Sequence, residues 1–344
     1  MPIRVAIVGT GSMAANHAKG YACQEGVEVV AGVDTDLNRA ETFCKEHGIA
    51  RAFTSIQELL DWNEFDAVSN ATPDGVHHAT SLPFIAAGKH IMCEKPLASN
   101  YPDALEMAEK ASAAGIVNCV NLSYREVPAL QYAKNLVSDG AIGSIRHFEA
   151  SYLQSWLTQP AWGDWKTEEQ WLWRLSSQHG SNGVLGDVGV HILDFATFVA
   201  GSLPKTSRSL VKTFDKAPGG KIQDYVLDAN DSFVMHTELE NGAIGTISAT
   251  RFASGHLNDL RLRIYGTLGG LEVLFENKVS TLNICLGENL QTANWQTVET
   301  APVPTNYQRF IDAIKNSSAA EPDFALGAKL QKLIDFSLQG DQAT

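Results

Sequence analysis

The chain has 344 residues and a formal net charge of −13, from 26 basic and 39 acidic side chains, a balance that speaks against nucleic acid or an anionic membrane as partner. An apolar share of 44% supplies a sizeable core, and the length suits two domains on a prior of ~150 residues each. The chain shows no run of ~18 apolar residues and no secretory leader, and its five scattered cysteines (Cys23, Cys44, Cys93, Cys119, Cys285) form no CxxC, so a reducing cytoplasm is expected, with neither membrane span, disulfide framework nor zinc site.

Ile3 to Val8 is a short β-branched run, the pattern of a strand buried on both faces. It breaks at Gly9-Thr10-Gly11, and a helix is expected from Ser12. Strand, glycine turn and helix is the context that gives a G-x-G-x-x-G/A match weight. Gly9 permits the tight turn, Gly11 lets a pyrophosphate approach the backbone, and Ala14 is small enough for close helix packing. The helix N-terminus offers N–H groups and a positive dipole end to phosphates. Val27 to Val33 is the next strand, and Asp34 at its end is placed to accept ribose hydroxyls.

Downstream, Asp36 is expected to cap a helix over Leu37 to His47 that stops at Gly48. Ser55 and Glu58 read as a capping box, and Asn100 caps a helix ended by Gly115. Ala67 to Asn70, His90 to Cys93 and Val117 to Val120 read as further buried strands, with a helix over Val76 to Ala87. Short strands alternating with helices of about a dozen residues indicate a doubly wound parallel sheet, whose ligands lie beyond the strands' carboxyl ends. Thr10, Asp34, Thr72, Lys95 and Asn121 fall at such ends.

The pattern changes after about Asn121. A helix near Pro128 to Ser138 and a strand over Ile145 to Leu153 precede a tryptophan-rich stretch, and another helix is expected around Leu185 to Val199. Strands with tight turns follow from about Ser207, including an Asn-Gly hairpin between Leu239 and Ala243, before closing helices at Tyr307 to Lys315 and Phe324 to Leu338. The fold class is therefore α/β: a Rossmann-type parallel sheet, then an α+β domain with an open, mostly antiparallel sheet. The expected domains are 1–122 for the dinucleotide and 123–344 for substrate and assembly, with the closing helices near 305–340 in the second.

Two stretches carry chemistry. Lys95, in Glu94-Lys95-Pro96, stands where a parallel strand ends on the cofactor crevice; a solvent-facing loop lysine is the plainer alternative. Asp187 and His191 are four apart, so on a helix they share a face, and a carboxylate beside an imidazole suits a general base. A buried structural histidine is the alternative there. Met13 and Tyr21 read as core from their apolar setting.

Together these stretches resemble the glucose–fructose oxidoreductase / inositol dehydrogenase / MocA family over nearly the whole chain. The matching segments are Gly9-Thr10-Gly11-Ser12-Met13-Ala14, Asp34, Ala71-Thr72-Pro73 with His77, Glu94-Lys95-Pro96, Asn121 with Tyr124-Arg125 and Pro128, Trp173-Arg174, and Asp187 to Asp194. The resemblance implies oxidation or reduction of a sugar, polyol or related ring with NAD or NADP, and catalysis by Lys95, Asp187 and His191. It also implies cofactor contacts at Gly9, Thr10, Gly11, Ser12, Met13, Asp34, Arg39, Ala71, Thr72, Pro73, His77, Glu94, Lys95, Asn121 and Arg174.

The substrate region is expected in Tyr152 to Arg174, which holds five of the chain's seven tryptophans. Aromatic faces cover the C–H faces of sugar rings, though tryptophan also serves packing and subunit contacts. Tyr124, Trp156 and Trp162, with Lys95, Asp187 and His191, are the expected substrate contacts; Asp164, Gln178 and His179 are weaker candidates for reading hydroxyls.

The resulting expectation is an NAD-dependent sugar or cyclic polyol dehydrogenase. A free lysine titrates near ~10.4 and a free histidine near ~6.5, which makes His191 the better proton acceptor and leaves Lys95 to bind the substrate oxygen. The rivals are an NADPH-dependent keto-sugar reductase, for which Arg39 near Asp34 leaves room, an NAD-dependent glycosidase working by transient oxidation, and a non-catalytic nucleotide sensor. The open sheet predicts a homodimer or homotetramer.

Overall fold

The computed structural model describes residues 1–160 and 162–339. The chain divides into two units. The first comprises Met1–Ser123 and Pro304–Lys332, and the second Tyr124–Val303 with the end of the last helix from Leu333.

In the first unit β1 (Ile3–Val8), β2 (Val27–Val33), β3 (Arg51–Phe53), β4 (Ala67–Asn70), β5 (His90–Cys93) and β6 (Asn118–Val120) form one parallel sheet in the order β3-β2-β1-β4-β5-β6. The strand order reverses between β1 and β4, the place where such sheets open a ligand crevice. The helices α1 (Ser12–Ala22), α2 (Leu37–His47), α3 (Ile56–Trp62), α4 (His77–Ala86) and α5 (Tyr101–Ala113) connect the strands.

The expected caps are present. Asp36 accepts the N–H groups of Asn38 and Arg39, Gly48 ends α2 at φ +67°, and Asn100 accepts from the Asp103 N–H. Ser55 accepts from the Glu58 N–H, while the Glu58 carboxylate reaches back to the Thr54 N–H and hydroxyl. Apolar side chains on both sheet faces close the core, Val5, Ala67 and Met92 in one cluster and Ala6, Val8, Val68 and Phe84 in another.

The second unit opens with α6 (Pro128–Ser138), β7 (Ile145–Gln154) and a one-turn α7 (Glu169–Leu172). The helix expected from Leu185 is two pieces, a π-helical turn at Leu185–Gly189 and then α8 (Val190–Ala200). Gly189 lies there because a Cβ would crowd Leu185 Cδ1 and Phe233 Cε1, each at 3.0 Å.

The strands β8 (Pro204–Lys212), β9 (Lys221–Ile222), β10 (Tyr225–Val226), β11 (Ser232–Leu239), β12 (Ile244–Thr250), β13 (Asn258–Gly266), β14 (Gly269–Glu276) and β15 (Val279–Leu286) follow. After a one-turn α9 (Asn289–Thr292) comes β16 (Gln296–Val298). Eight strands make one sheet in the order β16-β15-β14-β13-β7-β12-β11-β8, antiparallel except for the β12–β7 pair, and β9 and β10 form a separate ribbon. The helices α6 and α8 pack on this sheet. On its outward-pointing rows Leu210, Val234 and Ile244 are exposed.

The closing segment departs from the expected division. Residues Pro304–Lys332, with α10 (Asn306–Asn316) and most of α11 (Phe324–Leu338), belong to the first unit. Tyr307, Phe310 and Ile311 are buried in the same cluster as Val5 and Met92, and the Tyr307 ring meets His17 and Tyr21 edge-on at 5.2 and 5.1 Å. The amphipathic pattern identified the helices but not the sheet that receives them.

Candidate active site

The glycine turn has the geometry its sequence requires. Gly9 sits at φ +83°, and a Cβ there would lie 2.8 Å from the Ala71 carbonyl oxygen. Gly11 is the extended N-cap of α1 with no side-chain cap, and a Cβ on it would meet nothing nearer than Arg39 Nη2 at 4.0 Å. The helix N-terminus is therefore open to an anion, as a pyrophosphate cradle requires. Ser12 and Met13 are exposed beside it; the reading of Met13 as core fails, because in the first turn of α1 it is Ala14 that faces the core.

Asp34 is fixed at the end of β2. Its Oδ2 accepts from the Thr10 N–H at 3.0 Å and the Thr10 hydroxyl at 2.7 Å, and its Oδ1 from the Asp36 N–H at 3.1 Å. Arg39 Nη2 stands 3.5 Å away. Burial pushes the carboxyl upward, but the bonds from Thr10 and Asp36 and the Arg39 charge outweigh it and hold it below its ordinary range. A carboxylate held ionised beside an open phosphate turn fits the adenosine end of a dinucleotide.

At the end of β4, Asn70 Oδ1 accepts from the Thr72 N–H and hydroxyl at 3.2 and 2.7 Å, which shapes the Ala71-Thr72-Pro73 turn. His77 differs from expectation. Its ring is fully buried and both nitrogens face backbone carbonyls, Nδ1 at Pro96 and Nε2 at Thr72. It is a tie within the protein, not a side chain turned to a cofactor.

At the end of β5, Glu94 is 7% exposed. Its Oε1 accepts from His17 Nε2 at 2.8 Å and Asn121 Nδ2 at 2.7 Å, and its Oε2 from the Lys95 N–H at 3.3 Å. Behind it, His17 Nδ1 meets the Ser69 hydroxyl at 2.6 Å, and Tyr21 donates to Ser69 at 3.1 Å. Asn121 also bonds Tyr307 and accepts from Asn306. Burial raises the Glu94 pKa, but the His17 bond and charge, the Lys95 charge and the Asn121 bond bring it down to about 2. The partly exposed Lys95 therefore stands beside a carboxylate that is ionised at neutral pH.

In the second unit His191 lies in the first turn of α8, 7% exposed, with its ring edge-on to Tyr124 at 4.9 Å. Tyr124 belongs to a closed set of short bonds. Its hydroxyl meets that of Tyr152 at 2.5 Å and accepts from Asn258 Nδ2 at 2.6 Å, while Tyr152 donates to Asn258 Oδ1 at 2.6 Å. Burial first, then the Tyr124 and Asp187 charges, push the Tyr152 phenol well above its ordinary value, so it stays a neutral donor.

Asp187 lies in the π-helical turn rather than in the regular helix expected there. Its Oδ2 accepts from Arg251 Nη2 at 3.0 Å and lies 4.0 Å from Arg174 Nε. Arg251 is fully buried, donates to the Arg174 carbonyl at 3.0 Å and lies over the Trp156 ring. Arg174, expected at the cofactor, bonds the Gln170 carbonyl and stacks against Trp171 and Trp173. Tyr152, Asn258 and Arg251 were missed by the sequence reading, and the strand register that assembles them leaves no local motif.

The tryptophans divide. Trp156 is 3% exposed and donates to Gln154 Oε1, so it is core, its indole N–H already used within the chain. Trp162 is half-buried and stacks on Trp171 at 6.3 Å. Asp164, Gln178 and His179 are exposed, and the His179 ring packs on Tyr225 at 4.3 Å. Among the described residues no group of three or more His, Cys, Asp or Glu is placed to hold a metal ion, and no helix is long and apolar enough to cross a membrane.

Comparison with known proteins decides the family. Residues 3–122 match the oxidoreductase family with an NAD-binding Rossmann fold, and residues 130–272 match the Gfo/Idh/MocA C-terminal domain. D-glucoside 3-dehydrogenase of Escherichia coli is 30% identical over 251 residues, covering 71% of this chain and 68% of the relative. The chain belongs to the Gfo/Idh/MocA oxidoreductase family.

Levoglucosan dehydrogenase of Pseudarthrobacter phenanthrenivorans, another similar protein, is 26% identical over 323 residues, covering 87% of this chain and 80% of the relative. The structure of levoglucosan dehydrogenase with NADH and L-sorbose superposes with a TM-score of 0.87 at 25% identity, covering 98% of this chain and 96% of that one. As a Gfo/Idh/MocA protein the chain is an NAD(P)-dependent oxidoreductase whose first unit is an NAD-binding Rossmann domain, and the open turn at Gly11 and the ionised Asp34 fit that cofactor.

Proposed function

We propose that this oxidoreductase removes hydrogen from a hydroxyl-bearing carbon of a sugar or cyclic polyol, with NAD preferred to NADP. The observation that carries the cofactor choice is Asp34, bonded to Thr10 and Asp36 and held ionised at the ribose end of the phosphate turn. A carboxylate there accepts ribose hydroxyls and repels a 2′-phosphate. The activities named for the glucoside and levoglucosan relatives support the substrate class. When bound, NAD supplies the hydride acceptor.

The chain's own residues do the rest. His191 accepts the hydroxyl proton, and Asp187, anchored by Arg251, steadies the developing imidazolium. Lys95 bonds the substrate oxygen and stabilises negative charge forming there. Tyr124, set by Tyr152 and Asn258, offers a fixed hydroxyl, and Trp162 is the tryptophan offered to the sugar face. Arg39, its side chain 60% exposed, favours a second reading, an NADPH-dependent keto-sugar reductase. The exposed Leu210, Val234 and Ile244 support a homodimer or homotetramer joined through the second sheet, and five free cysteines support a cytoplasmic setting.

The test is a screen of free sugars, anhydro sugars, glucosides, inositols and sugar acids for NADH formation. Net NADH on one of these classes is expected. Turnover confined to NADPH and keto sugars would transfer the function to the second reading, and aglycone release without net NADH would overturn both.

A further inference from the structure

The two ring nitrogens of His77 are each 2.8 Å from a backbone carbonyl oxygen, Nδ1 from Pro96 and Nε2 from Thr72. A carbonyl oxygen can only accept, so each contact needs an N–H, and a neutral imidazole has one. The ring is 0% exposed, with no solvent to accommodate a nitrogen lone pair facing a carbonyl. Both bonds are made only by the doubly protonated ring. The charged and titratable groups around it agree: burial alone lowers its pKa, but the Cys93 side chain, the Asp74 charge and the Pro96 carbonyl raise it to about 10.

We propose that His77 is a permanently cationic clamp that positions Lys95 by tying the backbone after β5 to the backbone after β4. Pro96 is the residue next to Lys95, and Thr72 lies in the turn that Asn70 shapes from the other side. The imidazolium thus joins two strand-end turns of one sheet through main-chain atoms. His77 is a positioning residue and touches no reacting atom. The role of Lys95 rests on the proposed function; the charge on His77 does not.

The first experiment therefore needs no turnover. Long-range proton–nitrogen spectra of the 15N-histidine-labelled full chain, assigned with His77→Gln, should show both His77 nitrogens protonated from about pH 6 to about pH 9, while ordinary histidines titrate near ~6.5. One unprotonated nitrogen anywhere in that interval overturns the cation, whether or not a substrate is known. The second compares His77→Gln and His77→Leu with wild type. If His77 positions Lys95, kcat falls about 10- to 100-fold, the scale of a small misplacement of a catalytic group, while the Kd for NAD from fluorescence titration stays within about twofold. Gln, with two N–H donors on one atom, should recover part of what Leu loses. A Gln variant with wild-type kcat overturns the positioning role, as does a pair of variants whose activity falls only in proportion to the folded fraction measured by circular dichroism.

Discussion

Replacing Glu94 by Gln removes one buried negative charge and turns one of two accepting atoms into a donor. The carboxylate is 7% exposed and receives His17, Asn121 and the Lys95 N–H. Its pKa falls from 4.5 to about 2, so at roughly 1.4 kcal/mol per unit the folded state gains on the order of 3 kcal/mol from ionisation. The folded pKa is depressed, so this stability is fully present above about pH 4.5 and is lost as pH falls towards 2. Glutamine offers one accepting oxygen, and its amide would present a donor to the Lys95 N–H or to the His17 and Asn121 pair. Hydrogen exchange of β4 and β5 amides reports this unit directly. Glu94→Gln should lower protection by about 2–3 kcal/mol at neutral pH, the range for hydrogen bonds to a charged group, and the gap should shrink steadily below about pH 4.5. No gap at neutral pH, or a gap independent of pH down to the acid limit, would show that the charge does not contribute.

Arg251→Lys should lower kcat by roughly tenfold and displace the acid limb of the pH–rate profile, because an ammonium cannot reproduce a planar fork onto Asp187 and the Arg174 carbonyl. Steady-state kinetics across pH would detect it. Asp34→Ser should narrow the NAD-over-NADP gap in kcat/KM by at least about tenfold, the equivalent of ~1.4 kcal/mol; a tenfold wild-type preference for NADP would already defeat the assignment. His191→Ala should cut kcat by ~10²–10⁴-fold with the rising limb lost, whereas Lys95→Arg should leave NAD bound and turnover nearly abolished. If His191→Ala keeps that limb, the base is elsewhere. Trp162→Ala should raise the sugar KM and spare NAD affinity; the reverse pattern would move the tryptophan stretch to packing or cofactor contact.

The first unit was legible because its signals are local. A β-branched run that ends in Gly9 or Asp34, and caps at Asp36, Ser55 and Asn100, are decided within four residues by backbone donors and side-chain acceptors. The second unit was legible as strands, turns and a glycine-containing stretch, but not as a site. Asn258 stands opposite Gln154, and Tyr152 opposite Leu260, only because β13 pairs with β7 in that register, more than 100 residues apart in sequence. Arg251 reaches Asp187 across 64 positions, and no periodicity encodes that bond. Trp156 and Trp162 read alike in sequence, yet a single hydrogen bond to Gln154 makes one of them core. The destination of α10 depended on Tyr307 finding His17 and Tyr21, a packing choice that amphipathicity leaves open.

The buried charges explain why so much polar machinery is carried below the surface. A buried ion pair seldom stabilises a fold more than well-packed apolar side chains of the same volume, because both ions lose their water. Here the ions grip specific main-chain atoms. Glu94 receives the Lys95 N–H, His77 holds the Pro96 carbonyl, and Arg251 holds both the Arg174 carbonyl and Asp187. The Glu94 and His77 contacts lie on or next in sequence to Lys95, and Arg251 bonds Asp187 itself. Apolar replacements could fill those volumes, but they have no bond with which to fix a peptide plane. Lys216 and Asp231 show the other use: their side chains are fully buried, they bond each other at 2.6 Å, and Asp231 accepts the Phe214 N–H, while only its main-chain carbonyl bonds Arg251, accepting the Arg251 N–H. Converting that pair to apolar residues of matched volume, which keeps the Asp231 carbonyl bond to Arg251, should lower kcat far less than the same exchange at Glu94 or Arg251. The difference between the two outcomes would separate ions that hold the fold from ions that hold the chemistry.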